Sequence, residues 1–185
     1  MAFEPSIYVV EPIGSSYLAV MARPVPGEWI RDEFAGIAAF GINRVVSLLE
    51  PDEAAEIGLG DEGALCEENG MEFVSYPIVD RGLPGSVAEF SDFTLQLYES
   101  IGSGQATVVH CRAGIGRTGI VAAGVLLRCG FDPDDAFDHV AKARGVAVPD
   151  TEEQRGWVVA NHLKIGGTEQ FEPDQATAAV DLKFE

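Results

Sequence analysis

His110-Cys111-Arg112-Ala113-Gly114-Ile115-Gly116-Arg117-Thr118-Gly119 is the stretch from which the rest of the chain can be read. Small and β-branched residues, Ala106-Thr107-Val108-Val109, precede it, and a helical pattern runs from Ile120 to Cys129, so the loop joins a buried strand to a helix N-terminus. The free amides of a first helical turn, with the positive end of the helix dipole, favour an anion at that spot. Gly114, Gly116 and Gly119 can take backbone conformations that a Cβ resists, which lets successive N–H groups turn inward as a concave nest built from Arg112, Ala113, Gly114, Ile115, Gly116 and Arg117. Cys111 lies at the floor of that nest. A thiol at a helix N-terminus beside a cation can titrate at roughly 3.5–7.5 instead of ~8.5, so the position predicts a thiolate nucleophile. Arg117, six residues on, offers two phosphate oxygens a planar fork that lysine could not match, and Thr118 offers the sulfur a hydroxyl. The chemistry these residues imply is that of phosphate esters.

A lone buried cysteine is usually an inert apolar residue. Here the Cys-x5-Arg-Thr spacing, the preceding His and the strand-loop-helix context argue otherwise. The stretch resembles the signature loop of the cysteine-dependent protein tyrosine phosphatase superfamily, His-Cys-x-x-Gly-x-x-Arg-Ser/Thr, at every fixed position. That resemblance implies a two-step reaction in which the thiolate attacks phosphorus and water then cleaves a cysteinyl-phosphate. It also implies a general acid, an Asp on a mobile loop tens of residues upstream. Phe73-Val74-Ser75-Tyr76-Pro77-Ile78-Val79-Asp80-Arg81-Gly82-Leu83-Pro84-Gly85 reads as a strand running into such a loop and nominates Asp80. Asp92 is the rival. It falls on a helix predicted over Val87 to Ile101, whose apolar face is Phe90, Phe93, Leu97 and Ile101, and a rigid helix makes a poor lid. No Trp precedes the loop, and Pro77-Ile78-Val79-Asp80 is similar to the dual-specificity branch. Gln154, three residues after Thr151, matches the Gln that orients the hydrolytic water in several branches; the same residues, with Glu153, also read as a helix cap.

Arg112 and Arg81 flank the proposed site, either attracting phosphate or standing as solvated charges. His110 is expected to support the loop's hydrogen bonds, while His139 and His162 lie on helical stretches without a partner pattern. No metal and no cofactor are implied: Cys66, Cys111 and Cys129 are far apart and show no ligand spacing. Cys66 and Cys129 could pair with Cys111 under oxidation, but packing against helices is the simpler role. An odd, low cysteine count without a secretory signal fits the cytoplasm.

The 185 residues suit one domain, with no repeat and no membrane-spanning run. A hairpin over Ser6 to Val10 and Tyr17 to Met21 opens the chain, and a helix starts at Gly27 to Ile30. Then come a strand Arg44 to Leu49, an acidic helical region to Asn69, a strand Met71 to Tyr76, the helix from Val87, and the loop. Helices over Thr118 to Cys129, Asp134 to Arg144 and Thr151 to Leu163 follow. Alternating strands and helices predict an α/β fold, a single three-layer domain with a central, mostly parallel β-sheet flanked by helices, phosphatase-like by resemblance. Residues 1–165 form that domain and 166–185 an acidic, flexible tail in which Ala178 to Phe184 could add an edge strand. A net charge of −18 argues against nucleic acid and anionic membranes as partners. The expected substrate is a phosphorylated protein or peptide, with phosphotyrosine first and phosphoserine or phosphothreonine next. Inositol phosphates and RNA 5′-triphosphates are the alternatives on the same scaffold, the loop lacking the lysines of inositol-lipid phosphatases. A non-catalytic phosphotyrosine-binding module is the alternative outside enzymes. Oligomeric state is left open.

Overall fold

Successive strand residues face opposite helical layers. Leu18, Val20, Val46 and Val109 pack with Phe90, Leu97, Ile120, Phe137 and Val158, whereas Ala19, Met21, Val45 and Val108 pack with Phe34, Ile37, Leu65 and Cys66. A sheet with two apolar faces must be covered twice, and this is what gives the three layers. The computed structural model describes residues 4–167.

Its elements are β1 (Tyr8–Ile13), β2 (Ser16–Met21), α1 (Ile30–Ala39), β3 (Arg44–Ser47), α2 (Pro51–Glu56), α3 (Glu62–Glu68), β4 (Glu72–Ser75), α4 (Val87–Gly102), β5 (Thr107–His110), α5 (Gly116–Arg128), α6 (Pro133–Arg144) and α7 (Glu152–Gly166). The sheet order is β1-β2-β5-β3-β4. Only the β1–β2 hairpin is antiparallel; β2, β5, β3 and β4 run parallel. The α/β, mostly parallel reading therefore stands. The expected strands are shorter than read, β3 stopping at Ser47 and β4 at Ser75, although single backbone bonds carry both chains on into the loops above the sheet. The single acidic helical region is two helices, α2 and α3. The C-terminal tail from Thr168, with Ala178 to Phe184, lies outside the described residues.

Helix α5 is the centre of one layer. Every residue from Gly116 to Leu127 is buried, since α4, α6 and α7 enclose it, and so its N-terminus is held rigidly over the sheet. In the register of the central strands, Met21, His110 and Ser47 lie side by side at one sheet edge. Chains leaving β2, β3, β4 and β5 all emerge there, at the carboxyl ends of parallel strands, where α/β folds place their ligands.

Candidate active site

The loop from Cys111 is pinned by its carbonyls. That of His110 accepts from Leu48 N at 3.0 Å and that of Arg112 from Arg23 N at 3.3 Å. The carbonyl of Ala113 accepts from Arg144 Nη2 at 3.1 Å, and His110 Nδ1 lies 3.3 Å from the carbonyl of Cys111. Four consecutive carbonyls are thus turned outward. Among the described residues, none of the amides of Arg112, Ala113, Gly114 and Ile115 donates to a protein acceptor. With the unsatisfied first-turn amides of α5, they leave a set of donors free for an anion. Gly114 makes the turn possible. Its φ is +68°, and a Cβ there would come within 2.3 Å of the Met21 carbonyl oxygen. Gly116 and Gly119 do not share that conformation; Gly116 is needed for close approach, as a Cβ would lie 2.9 Å from Gln154 Oε1.

A cavity of about 210 Å³ opens over this loop, lined by Asp80, Arg81, Cys111, Arg112, Ala113, Ile115, Gly116, Arg117, Asp150 and Gln154. Most of the residues nominated from sequence therefore meet in one place. Gly114 is turned toward β2, and Thr118 is buried behind the wall with its hydroxyl unpartnered among the described residues. Asp92 is elsewhere. It lines a larger depression of about 610 Å³ between α4 and α7 with Val87, Ser91 and Leu163, and no cysteine is among its lining residues.

Arg117 is only 2% exposed, and both of its Nη atoms are engaged by protein. Glu53 takes both ends of the fork, Oε2 at 2.7 Å from Nη1 and Oε1 at 3.0 Å from Nη2. Nη1 also donates to the carbonyl of Ile78 at 3.0 Å, and Nη2 to Asp80 Oδ1 at 2.9 Å. The hydrogen bond from Arg117 holds the Glu53 carboxyl below the usual carboxylate range, against the opposing effect of its burial. Arg112 Nε reaches Glu53 Oε1 at 3.2 Å, and Arg81 Nε reaches Asp150 Oδ2 at 3.2 Å. All three arginines of the site are paired with carboxylates. Local neutralisation keeps cations assembled in a strongly acidic chain.

Asp80 stands on the segment after β4, which continues along β3 through the hydrogen bonds Tyr76 N to Ser47 O and Ile78 N to Leu48 O. Arg81 then turns it at φ +56° and the bond Gly82 N to Val79 O closes the corner. The Asp80 side chain is 58% exposed, at the mouth of the cavity. Gln154 caps α7 and also borders the cavity. Its backbone amide donates to the Thr151 hydroxyl at 3.2 Å as a helix cap, while its buried side chain donates from Nε2 to Gly82 O at 3.1 Å and leaves Oε1, at the cavity wall, without a partner among the described residues.

The remaining cysteines are removed from the cavity. Burial and the neighbouring Glu62 push the Cys66 thiol up to about 12, and burial with Glu11 pushes Cys129 up to about 11. Cys66 packs in the other core layer, and Cys129 lies at the far end of α5, about 20 Å from its start at 1.5 Å per residue. His139, without a partner pattern in the sequence, finds partners in the fold: Nε2 lies 2.7 Å from Glu11 Oε2 and 3.0 Å from the Val10 carbonyl, tying α6 to β1. Sequence reasoning also missed Glu53 and Asp150. The chain is so acidic that nothing marked Glu53 apart from Asp52 or Glu56; its one signal was a position just after Pro51, where a helix starts beyond a core strand.

The chain is similar to known phosphatases. The 197R protein of Invertebrate iridescent virus 6, whose name assigns it to the tyrosine phosphatases, is 28% identical over 126 residues; the match takes in 63% of this chain and 47% of the viral protein, so the chain spans less than half of that relative's length. The structure of kinase associated phosphatase carrying serine for its catalytic site cysteine superposes with a TM-score of 0.79 at 20% identity, over 89% of this chain and 98% of that one. PTPMT1 in complex with PI(5)P gives 0.66 at 18% identity, over 86% and 96%. At these identities both structures speak for the fold alone. Residues 19–131, from β2 through α5 and including the whole anion loop, match the family described as polymorphic toxin system, DSP-PTPase phosphatase, and the chain belongs to that family.

Proposed function

We propose that the protein hydrolyses phosphate monoesters on proteins, phosphotyrosine foremost and phosphoserine or phosphothreonine as well, through a cysteinyl-phosphate on Cys111. One observation carries this reading: Cys111, Asp80, Arg117 and the unpartnered Oε1 of Gln154 border a single cavity at the N-terminus of α5. The phosphoryl group takes the free loop amides and competes with Asp80 for Nη2 of Arg117. Asp80, displaced from the ion pair and protonated from solvent, faces the ester oxygen. The Cys111 sulfur attacks phosphorus, the P–O ester bond breaks, and Asp80 gives its proton to the leaving oxygen. In the second step Gln154 Oε1 accepts a hydrogen bond from water, Asp80 takes that water's proton, and the S–P bond breaks to release inorganic phosphate and restore the thiolate. No described helix is long and apolar enough to cross a membrane. Three free cysteines support a reducing compartment, the cytoplasm, as the place of action.

The test is release of p-nitrophenol from p-nitrophenyl phosphate without added metal, beside Cys111→Ser, from pH 5 to 8. Turnover abolished by the substitution supports the cysteine mechanism. No turnover in either protein, with phosphopeptide still bound by Cys111→Ser, would replace it with a binding module. Faster release from phosphoinositides than from phosphopeptides would turn the substrate assignment toward lipids.

A further inference from the structure

On the side of the sheet away from the cavity, Ser47, Glu62 and His110 form a buried polar chain. Ser47 and His110 are register partners on β3 and β5, and Glu62 opens α3. Ser47 Oγ donates to Glu62 Oε2 at 2.9 Å, Glu62 Oε1 lies 2.9 Å from His110 Nε2, and His110 Nδ1 lies 3.3 Å from the Cys111 carbonyl oxygen. The Glu62–His110 contact is off the line of an ideal hydrogen bond, yet neither atom has another partner among the described residues.

The protons can be counted. A carbonyl only accepts, so Nδ1 carries a hydrogen. Two bare acceptors at 2.9 Å in a buried place would repel, so a second hydrogen lies between Oε1 and Nε2. With that hydrogen on the ring and Ser47 donating to the carboxylate, the pair is neutral as a whole but polarised, its positive end toward Cys111. The titratable groups facing it are Cys66, one turn along α3, which burial and Glu62 keep as a neutral thiol, and Cys111 itself. Met21 faces it from β2 and Ser47 from β3. Among the described residues, no arginine, lysine or other carboxylate is within ion-pair reach of Glu62 or His110.

We propose that Glu62 is a positioning residue for the nucleophile: it keeps His110 doubly protonated and bonded to the Cys111 carbonyl, fixing the start of the loop and setting a positive charge behind the sulfur. This rests on the reading of Cys111 as the nucleophile. Glu62→Gln separates charge from scaffolding. The glutamine oxygen still accepts from Ser47 and its amide donates to Nε2, so the ring and its Nδ1–H bond stay while the imidazolium is lost.

The experiment follows alkylation of the full chain by iodoacetamide from pH 5 to 9, with the adduct located on Cys111 by peptide mass spectrometry and a urea unfolding curve beside it. Glu62→Gln is expected to move the alkylation midpoint upward by roughly half a pH unit to one, and Ser47→Ala to move it less in the same direction, because both weaken the stabilisation of a neighbouring charge. A midpoint unmoved in both, whatever happens to the unfolding curve, reduces the chain to scaffolding and overturns the proposal. If Glu62→Gln does not fold, Ser47→Ala decides by the same criterion. Alkylation needs no turnover, so a wild type that alkylates with these shifts but releases no phosphate overturns the phosphatase reading and leaves this one standing.

Discussion

Glu53 grips Arg117 with both carboxylate oxygens, at 2.7 and 3.0 Å, and Asp80 shares its Nη2 at 2.9 Å. The site is thus closed on itself by ion pairs before any anion arrives, and the fork that would bind phosphate is positioned from α2, an element that no family pattern in the sequence singled out.

Removing Glu53 leaves the Arg117 charge buried with only Asp80 and backbone carbonyls around it. Glu53→Ala is expected to cost about 2–4 kcal/mol at pH 7, at or below the range for fully buried pairs because those contacts remain. The folded-state carboxyl of Glu53 titrates below its ordinary value. Its contribution is therefore complete above roughly pH 4.3 and is lost as the pH falls through the lower folded value. Urea unfolding should give a gap between wild type and variant that is widest near neutrality and narrows below about pH 4; a gap that widens in acid contradicts the assignment.

Asp80→Asn should slow phosphotyrosine peptides by roughly 10²–10⁴ while p-nitrophenyl phosphate, whose leaving group needs little protonation, loses far less. Steady-state kinetics on both substrates reads this directly. An equal loss on the two would remove Asp80 from the role of acid.

Two glycines of the loop should respond differently to alanine. At Gly114 the added Cβ meets backbone, 2.3 Å from Met21 O, at φ +68°, so Gly114→Ala should destabilise by about 1–3 kcal/mol and disorder the loop. At Gly116 it meets a side chain, Gln154 Oε1 at 2.9 Å, which can move. Gly116→Ala should stay close to wild type in thermal unfolding yet turn over more slowly; equal unfolding losses would mean that the two positions are under the same constraint.

Gln154→Ala should leave the first chemical step intact and slow the second. Rapid mixing with p-nitrophenyl phosphate is expected to show a burst of product near one equivalent of enzyme followed by a slower steady rate. Absence of a burst, with a lowered steady rate, would place Gln154 in folding or in binding.

Much of the architecture was legible because it depends on short-range pattern. The two-sided apolar strands, the helical periods and the strand-loop-helix turn around Cys111 are written in neighbouring residues, and α5 and its loop followed from them. Strand ends were read too long, since Leu48, Leu49 and Tyr76 continue the apolar pattern past Ser47 and Ser75, where the regular strands end. Glu53, Glu62 and Ser47 escaped notice for a different reason: each acts through space, on partners 64, 48 and 15 residues away.

By itself, the sequence determined the α/β class, the nest at the start of α5, and the nucleophile candidate at its floor, because these arise from residues within one loop and its flanking elements. Only the tertiary structure decided which of thirty acidic residues reach the site. Charge and spacing make Glu53 indistinguishable from its neighbours along the chain, and only the meeting of β3, β4 and β5 at one sheet edge brings it, Asp80 and Arg117 within hydrogen-bonding distance.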